Sequence, residues 1–359
     1  MARGKKRVAG AWTGAVGALV LVVAGAYLGP DFLSSLGDDA RDGSAGGSTA
    51  ASTGTATPPG SGSEPRDSGG IFADLDAEPD GGPTFGLHRF GLEEPLPKPT
   101  NAIRLTTYNV ENFFDGVDDP VSPRHDVEWE KDSAHVEAVA KAIRKVDADV
   151  LCLQEMESED VLRAFRDAYL SDMGYDHLVS IDAGDQRGIE QSVLSRFPIV
   201  KTDLFENYDT GAVHPELWNG RPNRYAGEPI LLRRSPLFAT IAVPAGFGRP
   251  EPYELTVIVV HHKSGRGNDY WREAESKGLM ELIEKHYSGR DKNIAILGDF
   301  NARPDDTSVT MYGGAGFRDV WTDRPRGDWG KTHESGRAID LILVNEALRA
   351  EVIPGSEFV

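Results

Sequence analysis

Residues 101–359 predict one mixed α/β (α+β) domain, and two features carry the expectation. Short apolar runs of strand character alternate with amphipathic helical patterns over about 260 residues, without a short-period repeat. Polar residues also recur where those runs stop, which is where sheet-based sites are built. In chain order, 103–108 reads as a strand by alternation and β-propensity. Val136, Val139, Ala140 and Ile143 give 133–146 the spacing of an amphipathic helix, with Ser133 or Asp132 as N-cap. A buried strand at 149–154 and a helix at 158–173 follow. Strands are expected around 191–195, 229–242 and 253–262, a helix near 269–287, and strands at 293–298 and 338–344.

The 359-residue chain is 39% hydrophobic, enough for a sizeable core, but residues 34–70 hold almost no large apolar side chains. Four parts are expected. Residues 1–7, with Arg3, Lys5, Lys6 and Arg7, form a basic cytoplasmic tail. Residues 8–30 are uncharged and reach the roughly 20 apolar residues that cross a bilayer as a helix. They are expected to be a single-pass signal anchor that places the rest of the chain outside the cytoplasm. A cleaved signal peptide is the alternative, because Ala24-Gly25-Ala26 resembles a cleavage site. Residues 31–100, rich in Gly, Ser and Pro, read as a flexible linker, and 101–359 is the catalytic domain.

The net charge is −19, of which −15 belongs to residues 101–359. That balance speaks against tight, non-specific gripping of duplex DNA, which calls for a basic footprint. The single cysteine, Cys152, excludes a disulfide framework. It sits in Val150-Leu151-Cys152-Leu153, where a buried, inert thiol is expected.

The strand ends deliver Asn109, Glu155, His261, Asp299 with Asn301, and Asp340. Carboxylates emerging from apolar strands are costly unless paired or metal-bound. Hard oxygen donors suit Mg2+ or Mn2+, with Ca2+ a further candidate, better than Zn2+. Each residue has a bland alternative as a helix cap, an Asx turn or a core histidine. Asp340, inside an apolar strand, is the hardest to dismiss. Adjacent strand residues point to opposite faces, so at most one of His261 and His262 enters a site.

Six segments, in order, resemble the endonuclease/exonuclease/phosphatase superfamily. They are Thr107-Tyr108-Asn109-Val110-Glu111-Asn112, Asp149-Val150-Leu151-Cys152-Leu153-Gln154-Glu155 and Ser192-Val193-Leu194-Ser195-Arg196-Phe197-Pro198-Ile199. Val260-His261-His262-Lys263-Ser264, Leu297-Gly298-Asp299-Phe300-Asn301-Ala302 and Ile339-Asp340-Leu341-Ile342-Leu343 complete the set. The resemblance implies a four-layer sandwich of two packed β-sheets flanked by helices. It implies Glu155 as main metal ligand with Asn109 nearby, Asp299 as water activator and Asn301 as phosphate holder. It further implies that His261 stabilises the pentacoordinate phosphate, that Glu190 orients that imidazole, and that Asp340 supports the metal or a leaving group. The His-Lys-Ser form at 261–264 is most similar to bacterial extracellular nuclease-like members. Such proteins normally end in a Ser-Asp-His-x-Pro motif some tens of residues past the strand bearing Asp340. This sequence stops at Val359 without one, so a truncated or catalytically impaired member is expected.

The expected function is therefore a divalent-metal phosphodiester hydrolase, a monomeric, exported or membrane-tethered nuclease with nucleic acid as substrate. A phospholipid or sugar-phosphate phosphoesterase and a non-catalytic binding protein are the alternatives. Trp218, Arg221, Arg224 and Tyr225 occupy a Gly/Pro-punctuated stretch that either overhangs the site or packs as a surface loop. Lys263 and Arg266 either contact phosphate or stay solvated.

Overall fold

Successive side chains on the central strands go to different cores, and that period of two builds the layers. The computed structural model describes residues 19–23, 90–117, 130–185, 187–289, 292–327 and 330–359. Residues 24–89, and with them most of the expected linker, lie outside the described residues.

The first sheet contains β1 (Leu19–Val23), β2 (Ile103–Phe113), β3 (Val150–Met156), β4 (His177–Ser180) and β5 (Glu190–Ser195), in the order β1-β2-β3-β5-β4. Helices α1 (Ser133–Val146) and α2 (Glu159–Tyr169) cover its outer face. Asp132 caps α1 by accepting the His135 N–H, and Ser158 caps α2 through the Val161 N–H.

The second sheet opens with β6 (Ile199–Asp203). Two ribbons follow: β7 (Tyr208–Val213) pairs with β10 (Pro229–Leu232), and between them β8 (Leu217–Trp218) pairs with β9 (Arg221–Pro222). The sheet continues through β11 (Leu237–Val243), β12 (Tyr253–His261), β13 (Asn293–Asp299), β14 (Arg318–Asp319) and β15 (Asp340–Val344). Its order is β14-β15-β13-β12-β11-β6. Helix α3 (Asp269–Tyr287) lies on the outer face of this sheet, and the short α4 (Thr307–Thr310) and α5 (Glu346–Arg349) close its connections.

On β3, Val150 and Cys152 join the core between the sheets, whereas Leu151 and Leu153 face α1 and α2. On β12 and β13, Val257, Val259, Ala295 and Leu297 face inward; Ile258, Val260, Ile294 and Ile296 pack under α3. The layers run helix, sheet, sheet, helix, the expected four-layer sandwich. Cys152 is wholly buried in the middle core, and burial pushes its thiol far up.

Two expectations need correction. The run expected as one strand at 229–242 is two, β10 and β11, in different sheets. Ser235 breaks it, its hydroxyl taking the Phe205 N–H, and Pro236 has no N–H for a ladder. Leu19–Val23, expected inside a membrane helix, is a strand parallel to β2; the rest of 8–30 lies outside the described residues. Among the described residues no helix is long and apolar enough to cross a membrane.

Candidate active site

The inward-facing row of each sheet runs apolar along most of its length and turns polar at one end. On β2 and β3 the row passes from Leu105 and Cys152 to the buried pair Thr107 and Gln154, hydrogen-bonded at 3.0 Å, and then to Asn109. On the second sheet it passes from Val259 and Leu297 to His261 and Asp299, register partners on β12 and β13. Asp340 on β15 is the register partner of Asp299 on its other side. Three adjacent strands thus align His261, Asp299 and Asp340 in one line.

Glu155 reaches the same place by breaking the alternation. It stands in a bulge of β3 with φ +66°, which turns its carboxylate towards Asn109. A bulge in β2 brings Glu111 and Asn112 into left-handed conformations as well, at φ +54° and +45°. The Asn112 N–H donates to Glu155 Oε2 at 2.8 Å, and the Glu111 N–H donates to Asn109 Oδ1 at 2.9 Å. Asn301, at φ +47°, is a fourth such residue, and such strain concentrates at functional sites.

The two rows meet through one amide. Asn109 Nδ2 donates to Glu155 Oε1 at 3.1 Å and to Asp299 Oδ2 at 3.2 Å, joining a carboxylate of the first sheet to one of the second. His261 Nε2 lies 3.6 Å from Glu155 Oε1 and 3.9 Å from Asp299 Oδ2. Asp299 Oδ1 accepts the Asn301 N–H at 2.7 Å, and Asn301 Nδ2 donates to the His262 carbonyl at 3.1 Å. Gly298 is required here. Its φ is +143°, and a Cβ would stand 2.0 Å from the Val260 carbonyl oxygen, so only glycine lets β13 approach β12 at this point.

Burial dominates the electrostatics. It raises the Asp299 carboxyl from 3.8 to about 6, with the Glu155 charge adding to it. Burial, then the charge of Asp299, pushes Asp340 well above the ordinary carboxyl range. Burial also drives the His261 imidazole well below 6.5, aided by the positive charges of Arg234 and Arg187, so the ring is neutral. His262 turns the other way, to Glu275 at 3.1 Å and Tyr312 at 3.2 Å under α3. One expected bond is not made: His261 Nδ1 has no hydrogen-bond partner, so Glu190 does not orient the ring through it. The Glu190 carboxylate instead accepts from Ser180 Oγ across β4 and β5, which gives it a place in the first sheet.

The donor set fits a divalent cation. Three buried carboxylates, two of them holding protons unusually tightly, mark a place where positive charge is wanting, and Asp340 Oδ1 is buried without a partner. Among the described residues no group of three or more His, Cys, Asp or Glu side chains is arranged to hold a metal ion by itself. Mg2+ commonly takes only one or two carboxylates and fills its other positions with water. Asn109 turns its NH2, not its oxygen, to the carboxylates, and would ligate only with its amide reversed.

Arg234 escaped the sequence reasoning. Its Nε binds Asp185 at 2.6 Å, and its Nη1 donates at 3.2 Å to the His262 carbonyl that also receives Asn301. Asp185 lies 49 residues from Arg234, and the only local signal was a pair of arginines, Arg233 and Arg234, before a strand of an acidic domain. Asp149 and Arg196, from two of the recognised segments, belong to the opposite end of the sheet. There Asp149 takes Lys98 Nζ, the Arg104 N–H and Arg196 Nη1, all within 2.9 Å.

Residues 106–356 match the sequence profile of the Endonuclease/Exonuclease/phosphatase family. The chain belongs to that family. Its members hydrolyse phosphodiester or phosphate ester bonds, typically with divalent metals. No curated protein matches the chain by sequence. Among solved structures, the chain is similar to the human Nocturnin catalytic domain with bound sulfate, at 14% identity, TM-score 0.42, covering 60% of this chain and 77% of that one. It is also similar to a conserved protein of unknown function from Enterococcus faecalis, at 20% identity, TM-score 0.43, covering 67% and 86%. A mannosyl-6-phosphatase from Bacteroides thetaiotaomicron matches at 17% identity, TM-score 0.43, covering 67% and 84%.

Proposed function

We propose that the protein is an exported, divalent-metal-dependent phosphodiester hydrolase that acts on nucleic acid. The observation that carries the reaction class is the Asn109 amide joining Glu155 to Asp299 with His261 beside them. The basic cluster ahead of the uncharged 8–30 stretch supports export.

Glu155 would hold the cation, with Asn109 beside it. The bound cation would neutralise phosphate charge and stabilise the leaving oxygen. Asp299 aligns the attacking water and takes its proton. Asn301, fixed through the His262 carbonyl, offers its other amide hydrogen to a phosphate oxygen. His261 is neutral, and with its proton on Nε2 it stabilises the pentacoordinate phosphate by hydrogen bonding rather than by charge. Asp340 keeps a proton in the same row, available to a leaving group.

The test is hydrolysis of plasmid DNA, RNA, sphingomyelin and bis-p-nitrophenyl phosphate with Mg2+ or Mn2+. Cleavage of a polynucleotide and of the small diester, lost on chelation and in Asp299→Ala, is the expected result. Unchanged hydrolysis by Asp299→Ala would refute the site. Turnover of sphingomyelin alone would move the substrate to phospholipid, and metal binding without turnover on any substrate would leave a binding protein.

A further inference from the structure

The stretch between β7 and β10, residues 214–228, is built onto the exit of the catalytic strand. Residues 263–268 continue β12 directly past His261 and His262 and lead into α3. Trp218 Nε1 donates to Asn268 Oδ1 at 3.1 Å, and Asn268 Nδ2 donates to the Ser264 carbonyl at 2.7 Å. Gly267, at φ +80°, lies against the Asn219 side chain, where a Cβ would stand 2.3 Å from Asn219 Oδ1, so the two segments touch. At its base, His214 meets the Tyr270 hydroxyl at 3.0 Å and packs edge-on against Trp271, with ring centroids 4.5 Å apart. This is a braced arm, not a loose loop, and it stands at the end of the sandwich that carries the acidic cluster.

Taken together, the arm and residues 263–268 reverse the sign of the domain's charge. The two segments contain Arg221, Arg224, Lys263 and Arg266 against Glu216 and Glu228, a local excess of positive charge in a domain of net −15. Arg221, Arg224 and Arg266 are exposed, and the Arg224 guanidinium lies over the Tyr225 ring at 4.5 Å. Beside them Leu217, 61% exposed, offers an apolar surface. Guanidinium groups next to an exposed apolar side chain match a strand of alternating phosphates and bases. A lipid surface is the poorer match, because the aromatic rings are engaged within the arm and none projects as an anchor.

We propose that this arm is a subsite for the nucleotides flanking the scissile bond of a polynucleotide, with Arg221 and Arg224 on its phosphates. The inference rests on the phosphodiesterase reading and gives it a substrate determinant.

The experiment compares the full chain with the double variant Arg221→Ala/Arg224→Ala, its folding verified by thermal melting, and with Arg266→Ala. Binding of a fluorescein-labelled oligothymidine is followed by anisotropy in chelator over a range of salt. Hydrolysis of the same oligonucleotide is compared with that of bis-p-nitrophenyl phosphate. The double variant is expected to bind about tenfold more weakly, with a salt slope smaller by about 1.4, the value for two single-strand phosphate contacts. Its kcat/KM for the oligonucleotide relative to the small diester should fall by about the same factor. Arg266→Ala should show about half the change in slope. Unchanged affinity and slope would overturn the proposal. So would an equal loss on both substrates, or a wild-type protein that binds sphingomyelin vesicles but no oligothymidine. Failure of the hydrolase reading shows separately, as no turnover of the small diester, while anisotropy still reports on the arm.

Discussion

Replacing Asp299 by asparagine is expected to abolish hydrolysis and yet stabilise the metal-free protein at neutral pH. The buried Asp299 carboxyl is raised from 3.8 to about 6. At any pH above both values, that difference is a cost of about 3 kcal/mol for keeping the charge in the folded state. The sign follows from proton binding. An acid raised by folding holds its proton more tightly in the native state, so between pH 4 and 6 the unfolded chain holds fewer protons and stability falls as pH rises. Asparagine removes the charge and can still accept the Asn301 N–H through Oδ1. It would set its NH2 against Asn109 Nδ2, losing one hydrogen bond worth about 1 kcal/mol. The net gain at pH 7.5 is about 2 kcal/mol, or roughly 4–8 °C in melting temperature for a domain of this size. The assay is thermal melting of both proteins in chelator at pH 7.5 and pH 4.5. The gain should be present at the higher pH and gone at the lower, where the wild-type carboxyl is already protonated. Saturating Mg2+ should raise both melting temperatures, because the cation assigned to Glu155 binds the native state of either protein and stabilises it by mass action. A variant that melts below wild type at pH 7.5, or gains equally at both pH values, would refute the electrostatic account of the site.

Three further outcomes are expected. His261→Ala should lower kcat on bis-p-nitrophenyl phosphate by about 10²–10³-fold, the loss of one transition-state donor, as read in steady-state kinetics. Gly298→Ala should destabilise by about 3 kcal/mol or more, because the Cβ meets the Val260 carbonyl oxygen and the backbone conformation is strained; urea unfolding measures it. Arg234→Ala breaks a buried ion pair and frees the carbonyl that holds Asn301, so stability should drop by about 3 kcal/mol and kcat should fall more than KM rises. Arg234→Lys should recover part of the stability.

Helices were the most legible elements. Val136, Val139, Ala140 and Ile143 mark α1 at helical spacing, and Asp132 marks its start as the N-cap. Apolar runs in the central strands were equally plain, since both faces of each sheet are covered. The strands at 199–203 and 208–213 went unseen because their residues are largely exposed and polar and carry little alternation. Local pattern placed Asn109, Glu155, His261, Asp299 and Asp340 at strand ends, but could not show that Glu155 reaches the site through a left-handed bulge. Nor could it separate Asp149 from Glu155: both carboxylates flank one buried strand, one serving an ion cluster and the other the chemistry. That division depends on partners 45 to 51 residues from Asp149 and 43 to 46 residues from Glu155, which no local window contains.

The path of the chain between the sheets has an experimental use. Every described strand through Ser195 belongs to the first sheet or its edge, and the strands of the second sheet begin at Ile199. Asn109 and Glu155 therefore lie on one side of a three-residue crossing, and His261, Asp299, Asn301 and Asp340 on the other. A chain divided between Arg196 and Pro198 would give two pieces, each with only part of the reactive groups and an exposed apolar sheet face. Hydrolysis recovered on mixing would then report docking of the two sheets, making turnover a sensor of complementation between the halves.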